Sequence, residues 1–154
     1  MGTARSVLAQ GLSFLTDRLG GERAIVHYAG FGLAHGFEAA TLWTTGELSH
    51  TLIQSLLDEA EPMIFYDAVK HNKFKHQTSA VLSSLRSVLF VPLFSRQTRL
   101  AGFLYADNRE KSGAFNDDHL QAAIAFAHNQ LTPRLHQAFE ADFGWDQVLA
   151  TEWL

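Results

Sequence analysis

The spacing of apolar residues predicts a helix at the start of the chain. Leucines recur at intervals of three and four residues, which place side chains on one face of a helix; with Val7 and Gly11 they are Leu8, Leu12, Leu15 and Leu19. Gly20 and Gly21 follow, and glycine readily adopts the positive φ that ends a helix. We therefore predict a helix over most of residues 3–19.

Two strands and a second helix are predicted next. Residues 23–28 and 37–43 are rich in β-branched and aromatic side chains, and the glycines between them, Gly30, Gly32 and Gly36, indicate a loop. Ser49 is a suitable N-cap for an apolar stripe that predicts a helix over residues 50–61. A short apolar run predicts a third strand at residues 63–66.

The clearest strand signals lie in the second half of the chain. Residues 87–94 and 100–107 are strongly apolar, and the five polar residues between them suit a hairpin. Pro92 has no N–H for a ladder hydrogen bond, which predicts an edge position or a bulge there. Residues 67–85 mix polar with scattered apolar side chains, so we expect a loop with short helical turns that is mobile and opens over any cavity beneath it.

The last helix has a well-marked start. Asn116 can cap it, and Asp117 and Asp118 favour the positive end of the helix dipole. One face then carries Leu120, Ala123, Ile124, Ala127, Leu131, Leu135 and Ala138, although Pro133 must kink or divide the helix. Phe126 lies opposite this stripe, which predicts a contact with the tail or with another chain.

Composition limits the function classes. The chain has 154 residues, 47% hydrophobic and 18% charged, which fits one domain with a real core. A formal charge of -4 without a basic run makes nucleic acid an improbable direct partner. The chain has no cysteine, no apolar run long enough to span a membrane and no signal-peptide pattern, so we expect a cytoplasmic protein without a membrane partner.

The order of these elements, and three sequence segments in particular, point to a family. Leu85-Arg86-Ser87-Val88-Leu89-Phe90-Val91-Pro92-Leu93, Leu100-Ala101-Gly102-Phe103-Leu104-Tyr105-Ala106-Asp107-Asn108-Arg109 and Phe115-Asn116-Asp117-Asp118-His119-Leu120 together resemble a GAF domain. The resemblance covers roughly residues 3–139. It implies an α/β (α+β) fold, with a central antiparallel sheet of five to six strands and helices on both faces.

The resemblance also implies a role. GAF domains are regulatory modules that bind small molecules, dimerise through their terminal helices, or do both, and the subtype here is similar to bacterial sensory domains. We therefore predict a GAF-like sensory domain over residues 1–140 that forms a homodimer. The apolar tail, residues 141–154, is expected to pack on the domain or on a partner.

Enzymatic and cofactor chemistry finds little support in the residues. The methionine sulfoxide reductases of the family need a thiolate, and covalent bilin attachment needs a cysteine, so the cysteine-free chain excludes both. Asn72-Lys73-Phe74 matches only a fragment of the cyclic-nucleotide motif. His71 and His76 lack further metal ligands, and His119, His128 and His136 are expected to be solvated. We assign no catalytic residue, metal site or cofactor.

Two functions remain open. The first is a small-molecule sensor whose cavity lies between the sheet and residues 67–85, with candidate lining residues Phe65, Phe74, Leu82, Leu85, Leu89 and Tyr105. Strand alternation separates Leu89 from its neighbours without indicating which set faces the cavity. The second is a pure interaction module whose cavity is filled by its own aromatic side chains.

Asp107 either stabilises the turn after its strand by local hydrogen bonds or faces the cleft.

Overall fold

The computed structural model of the chain describes residues 2–36, 50–65, 87–108 and 114–143. In chain order its elements are α1 (Gly2–Ser13), β1 (Arg23–Tyr28), β2 (Phe31–His35), α2 (His50–Glu59), β3 (Met63–Phe65), β4 (Ser87–Phe94), β5 (Leu100–Asn108), α3 (Asp117–Phe126) and α4 (Thr132–Phe143). A π-helical turn (Phe14–Arg18) extends α1, and a second one (Ala127–Leu131) joins α3 to α4.

The strands form one antiparallel sheet in the order β2-β1-β5-β4-β3. The two longest strands, β4 and β5, lie at its centre, and β1 pairs with β5 over its whole length. A five-stranded antiparallel sheet with helices confirms the predicted fold class.

The turn between β1 and β2 corrects the prediction for this region. Ala29 and Gly30 have φ values of 52° and 87°, the left-handed pair that a tight two-residue hairpin requires. The second strand therefore begins at Phe31, where the sequence had indicated a loop. Alanine rarely adopts this conformation, so the turn carries no clear sequence signal. The predicted strand over residues 37–43 lies outside the described residues.

The β4–β5 hairpin was predicted correctly, including the place of Pro92. Strand β3 pairs with β4 only from Val88 to Phe90, so Pro92 is paired on one side, with Phe103 of β5. The pairing with β5 shifts register between Leu93 and Phe94, next to the proline. A residue without an N–H is tolerated here because no third strand needs its donor.

The predicted cap and division of the last helix are confirmed. The Asn116 side chain accepts a hydrogen bond from the His119 N–H at 2.9 Å, and His119 Nδ1 accepts one from the Asn116 N–H at 3.0 Å. His119 therefore completes a capping box, a hydrogen-bonding role at the exposed helix start that the sequence analysis did not assign to its ring. The π-helical turn divides the helix directly before Pro133.

Helices α1, α3 and α4 cover one side of the sheet and form the core with it. The buried helix residues of this core include the predicted stripe members Ala123, Ala127, Leu131, Leu135 and Ala138, together with Leu8, Leu15 and Leu19 of the first helix. None of the helices in the described ranges is long and apolar enough to cross a membrane.

Phe126 makes an aromatic contact that the sequence did not indicate. Its ring stacks on Phe14 with 4.1 Å between centroids and 4° between planes. The contact is thus made within the chain, between the first and the last helix. The sequence could not indicate this contact, because the position of the first helix beside α3 is a tertiary property that the periodicity of neither helix encodes. The contact of Phe126 with the tail or with another chain stays a prediction.

Candidate functional site

The strand register divides the sheet into two faces of different chemistry. Directly paired residues of an antiparallel sheet point to the same side. Arg23 pairs with Asp107, and His27 pairs with Phe103. Tyr105, two residues before Asp107, therefore shares their side. We call this side, which carries Arg23, His27, Tyr105 and Asp107, the polar face, and the opposite side, packed on α1, α3 and α4, the helix face.

A buried hydrogen-bonded ion pair lies at one end of the polar face, where β1 begins and β5 ends. Arg23 donates from Nε to Oδ1 of Asp107 and from Nη2 to Oδ2, both at 2.8 Å. The Tyr105 hydroxyl donates to Oδ2 at 2.7 Å. Arg23 is 3% exposed, and Tyr105 and Asp107 are fully buried. Bidentate, charge-assisted geometry of this kind holds a guanidinium and a carboxylate in one orientation.

Burial strongly perturbs these groups. Burial raises the pKa of Asp107, and the hydrogen bond and charge of Arg23 offset this only in part. For Arg23, burial lowers the pKa, but Asp107 outweighs it and leaves the pKa above its ordinary value. Burial and the Asp107 carboxylate raise the pKa of Tyr105 well above its usual range. Tyr105 is thus a neutral hydrogen-bond donor at neutral pH.

His27 adds a neutral imidazole to the same face. It is 6% exposed, and its ring stacks on Phe103 with 5.6 Å between centroids and 12° between planes. Burial lowers the pKa of His27 to about 3. The polar face therefore combines one buried ion pair, one phenol and one uncharged imidazole with apolar neighbours, which is the composition of many small-molecule sites.

The structure separates the six predicted lining residues. Tyr105 lies on the polar face, and so does Phe65, whose partner Val88 pairs with Asp107. Leu89 pairs with Ile64 and Ala106 and belongs to the core on the helix face. Leu89 and Tyr105 therefore cannot line one cavity on a single side of the sheet. Phe74, Leu82 and Leu85, and the whole predicted gate over residues 67–85, lie outside the described residues.

Two polar-face residues were not anticipated from the sequence. Arg23 and His27 lie four residues apart in β1, so the period of two places them on one side of the strand, together with Ile25. That signal could have placed both on one face. The partner of Arg23 is 84 residues away, however, and only the pairing of β1 with β5 brings Asp107 to it.

Asp107 and His136 also differ from expectation. The Asp107 side chain bonds Arg23 and Tyr105, and not the local backbone as one of the two interpretations of the sequence proposed. The His136 ring, expected to be solvated, is half-buried, with Nε2 3.0 Å from the carbonyl oxygen of Phe94. This contact ties α4 to the end of β4.

A cavity of about 520 Å³ lies elsewhere, between the end of β4 and the α3–α4 helix pair. Of the predicted lining residues that the structure describes, Phe65, Leu89 and Tyr105 do not contribute to it, and neither does the ion pair of the polar face. Within the described residues, no group of three or more His, Asp or Glu side chains is placed to bind a metal ion.

Comparison with known proteins supplies a family. A family model described as GAF domain matches residues 4–129. A search of curated proteins gave no match. Among solved structures, the chain is similar to a GAF domain/HD domain protein from Geobacter sulfurreducens, with a TM-score of 0.63 at 14% identity over 88% of this chain and 93% of that one.

Two further solved structures come from photoreceptors. GAF3 of Slr1393 from Synechocystis sp. PCC6803, in its photoproduct state, gives a TM-score of 0.64 at 17% identity over 92% of this chain and 99% of that one. The phycocyanobilin-bound GAF domain of a cyanobacterial phytochrome gives a TM-score of 0.59 at 15% identity, over 92% of this chain and 88% of that one. At these identities the likeness concerns the fold alone.

Proposed function

The chain belongs to the GAF domain family, and we propose that it is a sensory domain that binds a small molecule on the polar face of its sheet. GAF domains are in general sensory and regulatory parts of signalling proteins rather than catalysts. The observation that carries the proposal is the concentration of buried polar groups, Arg23, His27, Tyr105 and Asp107, on one side of the sheet.

The chemistry of these groups favours a largely apolar ligand with a few polar atoms. Phe65 and Phe103 supply aromatic surface, whereas His27 supplies a neutral, polar ring. The one charged pair on this face is already bonded internally, so a ligand with a net charge would lack a dedicated partner among the described residues. We therefore propose a neutral, conjugated or aromatic ligand.

The extended conjugation of a bilin agrees with a conjugated or aromatic ligand, although the propionate groups of a bilin are charged. The phytochrome GAF domain is bound to phycocyanobilin, a conjugated molecule. The present chain has no cysteine for a thioether link, so any comparable chromophore would be held without a covalent bond. Of the six residues predicted from the sequence, Phe65 and Tyr105 stay in the proposed site, with Phe74, Leu82 and Leu85 as further candidates, and Leu89 does not.

Native mass spectrometry of protein purified without added ligand tests the proposal. A retained small molecule is expected in the wild type. The adjacent residues Phe65 and Ile64 point to opposite sides of β3 and offer a matched pair of variants. Phe65→Ala should lose the retained molecule, and Ile64→Ala should keep it. Wild-type protein without any adduct, or equal retention in both variants, would contradict a polar-face site.

Homodimerisation through the terminal helices remains a second proposal. Leu8, Leu15 and Leu19 are buried in the chain's own core and are not accessible to a partner, and Leu12 is only half-buried. Among the described residues, Phe94 is the exposed large apolar side chain, and it lies at the end of β4. A dimer would therefore use a mainly polar helix surface. Sedimentation at high micromolar concentration is expected to show a dimer, and a monomer there would refute it.

A further inference from the structure

The 520 Å³ cavity beside α3 and α4 has the size and lining of a binding site in its own right. Its volume falls within the roughly 300–1,000 Å³ range of small-molecule sites. Val91 and Phe94 of β4 form one wall, and Ile124, Ala127 and Pro133 form part of the other. It shares no lining residue with the polar-face groups Arg23, His27, Tyr105 and Asp107, so its occupant would be independent of the sensor ligand.

The lining determines the charge of that occupant. No Asp, Glu, Lys or Arg stands among the described residues that line the cavity. An ionised ligand would lose its hydration there without gaining a counter-charge, which is costly. The apolar walls therefore select a neutral molecule.

The division of the helix at Pro133 leaves an acceptor at the cavity. In a helix, the carbonyl of His128 would accept a hydrogen bond from the N–H of Thr132, four residues ahead, or from that of residue 133, five residues ahead. The Thr132 N–H donates instead to the carbonyl of Ala127, five residues behind it, and Pro133 has no N–H. The His128 carbonyl thus has neither helix donor. Because a helix carbonyl points toward the residues that follow, and because His128, Thr132 and Pro133 all line the cavity, this oxygen lies at its wall.

We propose that this cavity binds a small neutral molecule with an apolar body and one hydroxyl or amide N–H group, which donates a hydrogen bond to the His128 carbonyl. The π-helical turn and the proline create the acceptor together, since an uninterrupted α-helix would satisfy it internally. The apolar body of the ligand lies between Ile124 and the end of β4. Binding would stabilise the junction of α3 and α4 against the sheet.

A pair of fluorinated probes separates the hydrogen bond from the apolar contact. In fluorine NMR titrations of the full chain, 4-fluorobenzyl alcohol should bind about fivefold more tightly than 4-fluorotoluene, which lacks the donor. Pro133→Ala restores an N–H at the position that can reach the His128 carbonyl. The preference for the alcohol should then fall to about one, because the loss of the Pro133 ring from the wall weakens both probes alike and only the alcohol also loses its acceptor.

A second pair of variants locates the probe. Thr132→Phe adds a ring at the cavity wall and should weaken both probes at least about tenfold. Gln130→Phe adds the same ring at an exposed position that does not line the cavity and should change neither affinity. Circular dichroism and melting curves establish that each variant folds, and Ile124→Phe replaces Thr132→Phe if that variant does not fold.

Three results would overturn the proposal. The first is the absence of binding of either probe at millimolar concentration. The second is equal affinity for the two probes in the wild type. The third is probe binding that Thr132→Phe leaves unchanged. A self-association of the wild type that Thr132→Phe abolishes would also overturn the proposal, because it would show that a second copy of the chain covers this surface.

Discussion

The two faces of the sheet are equally well buried, but they are stabilised differently. On the helix face, Val26, Leu89 and Leu104 pack against helices whose own stripes are apolar. On the polar face, Arg23 and Asp107 are also removed from water, and direct hydrogen bonds replace their hydration. The helix face is stabilised by the burial of apolar area, whereas the ion pair of the polar face is stabilising only while both of its charged partners are present. The polar face is therefore more sensitive than the helix face to the loss of a single charged side chain.

The largest expected effect comes from breaking the ion pair on one side. Arg23→Met should lower the free energy of unfolding by about 3–5 kcal/mol, because Asp107 is left buried without its counter-charge. The triple variant Arg23→Met/Asp107→Leu/Tyr105→Phe should recover most of that loss, since no uncompensated polar group remains. Urea denaturation measures both. A triple variant as unstable as the single one would show that the hydrogen-bonded network contributes stability beyond compensating its own buried charges.

An apolar deletion on the helix face should cost about 3 kcal/mol. Leu104 is fully buried between Val26 and Val91, and Leu104→Ala removes its contacts and leaves a cavity. Because no charge is involved, the loss should be the same at pH 5 and pH 7. A strong pH dependence of this loss in denaturant titrations would show that the two faces are energetically coupled.

Acid should destabilise the polar face through His27. Its pKa is about 3 in the folded chain and ordinarily near 6.5, so the unfolded chain binds more protons as the pH falls. Stability from this residue is present above pH 6.5 and is lost between about pH 6.5 and 3. We expect a loss of about 2 kcal/mol between pH 7 and pH 5.

The matched control for this pH effect is His27→Gln, which keeps a polar side chain but does not titrate. The difference between wild type and variant in unfolding free energy should shrink by about 2 kcal/mol from pH 7 to pH 5. Parallel pH profiles for the two proteins would mean that the imidazole is accessible to protons in the folded state.

The smallest effect should come from the phenol. Tyr105→Phe removes one hydrogen bond to Asp107 and keeps the ring, which should cost about 1 kcal/mol. Asp107 still accepts both bonds from Arg23, so the ion pair should survive. Thermal melting combined with denaturant titration resolves a change of this size. A loss comparable to that of Arg23→Met would show that the three residues act as one unit.

Features that depend on a few consecutive residues were accessible from the sequence. The cap at Asn116, the break before Pro133 and the β4–β5 hairpin each follow from local geometry that a short segment determines. The Ala29–Gly30 turn shows the limit of this reasoning, because alanine adopts its positive φ only where the paired strands on both sides require it.

The candidate site depended more on tertiary structure. Alternation along a strand showed that Leu89 and its neighbours point to different sides, but it could not show which side the helices cover. The sequence grouped Phe65, Tyr105 and Leu89 in one candidate lining, and the sheet places Leu89 on the face opposite to the other two. Arg23 and His27 were not predicted as site residues, because their contacts with Asp107 and Phe103 form only when β1 pairs with β5.

By itself, the sequence determined the fold class, the GAF family, the exclusion of thiol chemistry and the positions of most elements. These properties follow from composition, from motifs and from periodicities within a few turns of the chain. The tertiary structure alone decided which sheet face is apolar, that Phe126 stacks on Phe14, and that Arg23 meets Asp107 across 84 residues. Such contacts arise from strand order and helix placement, and no local pattern of side chains encodes the distance between two segments until the chain has folded.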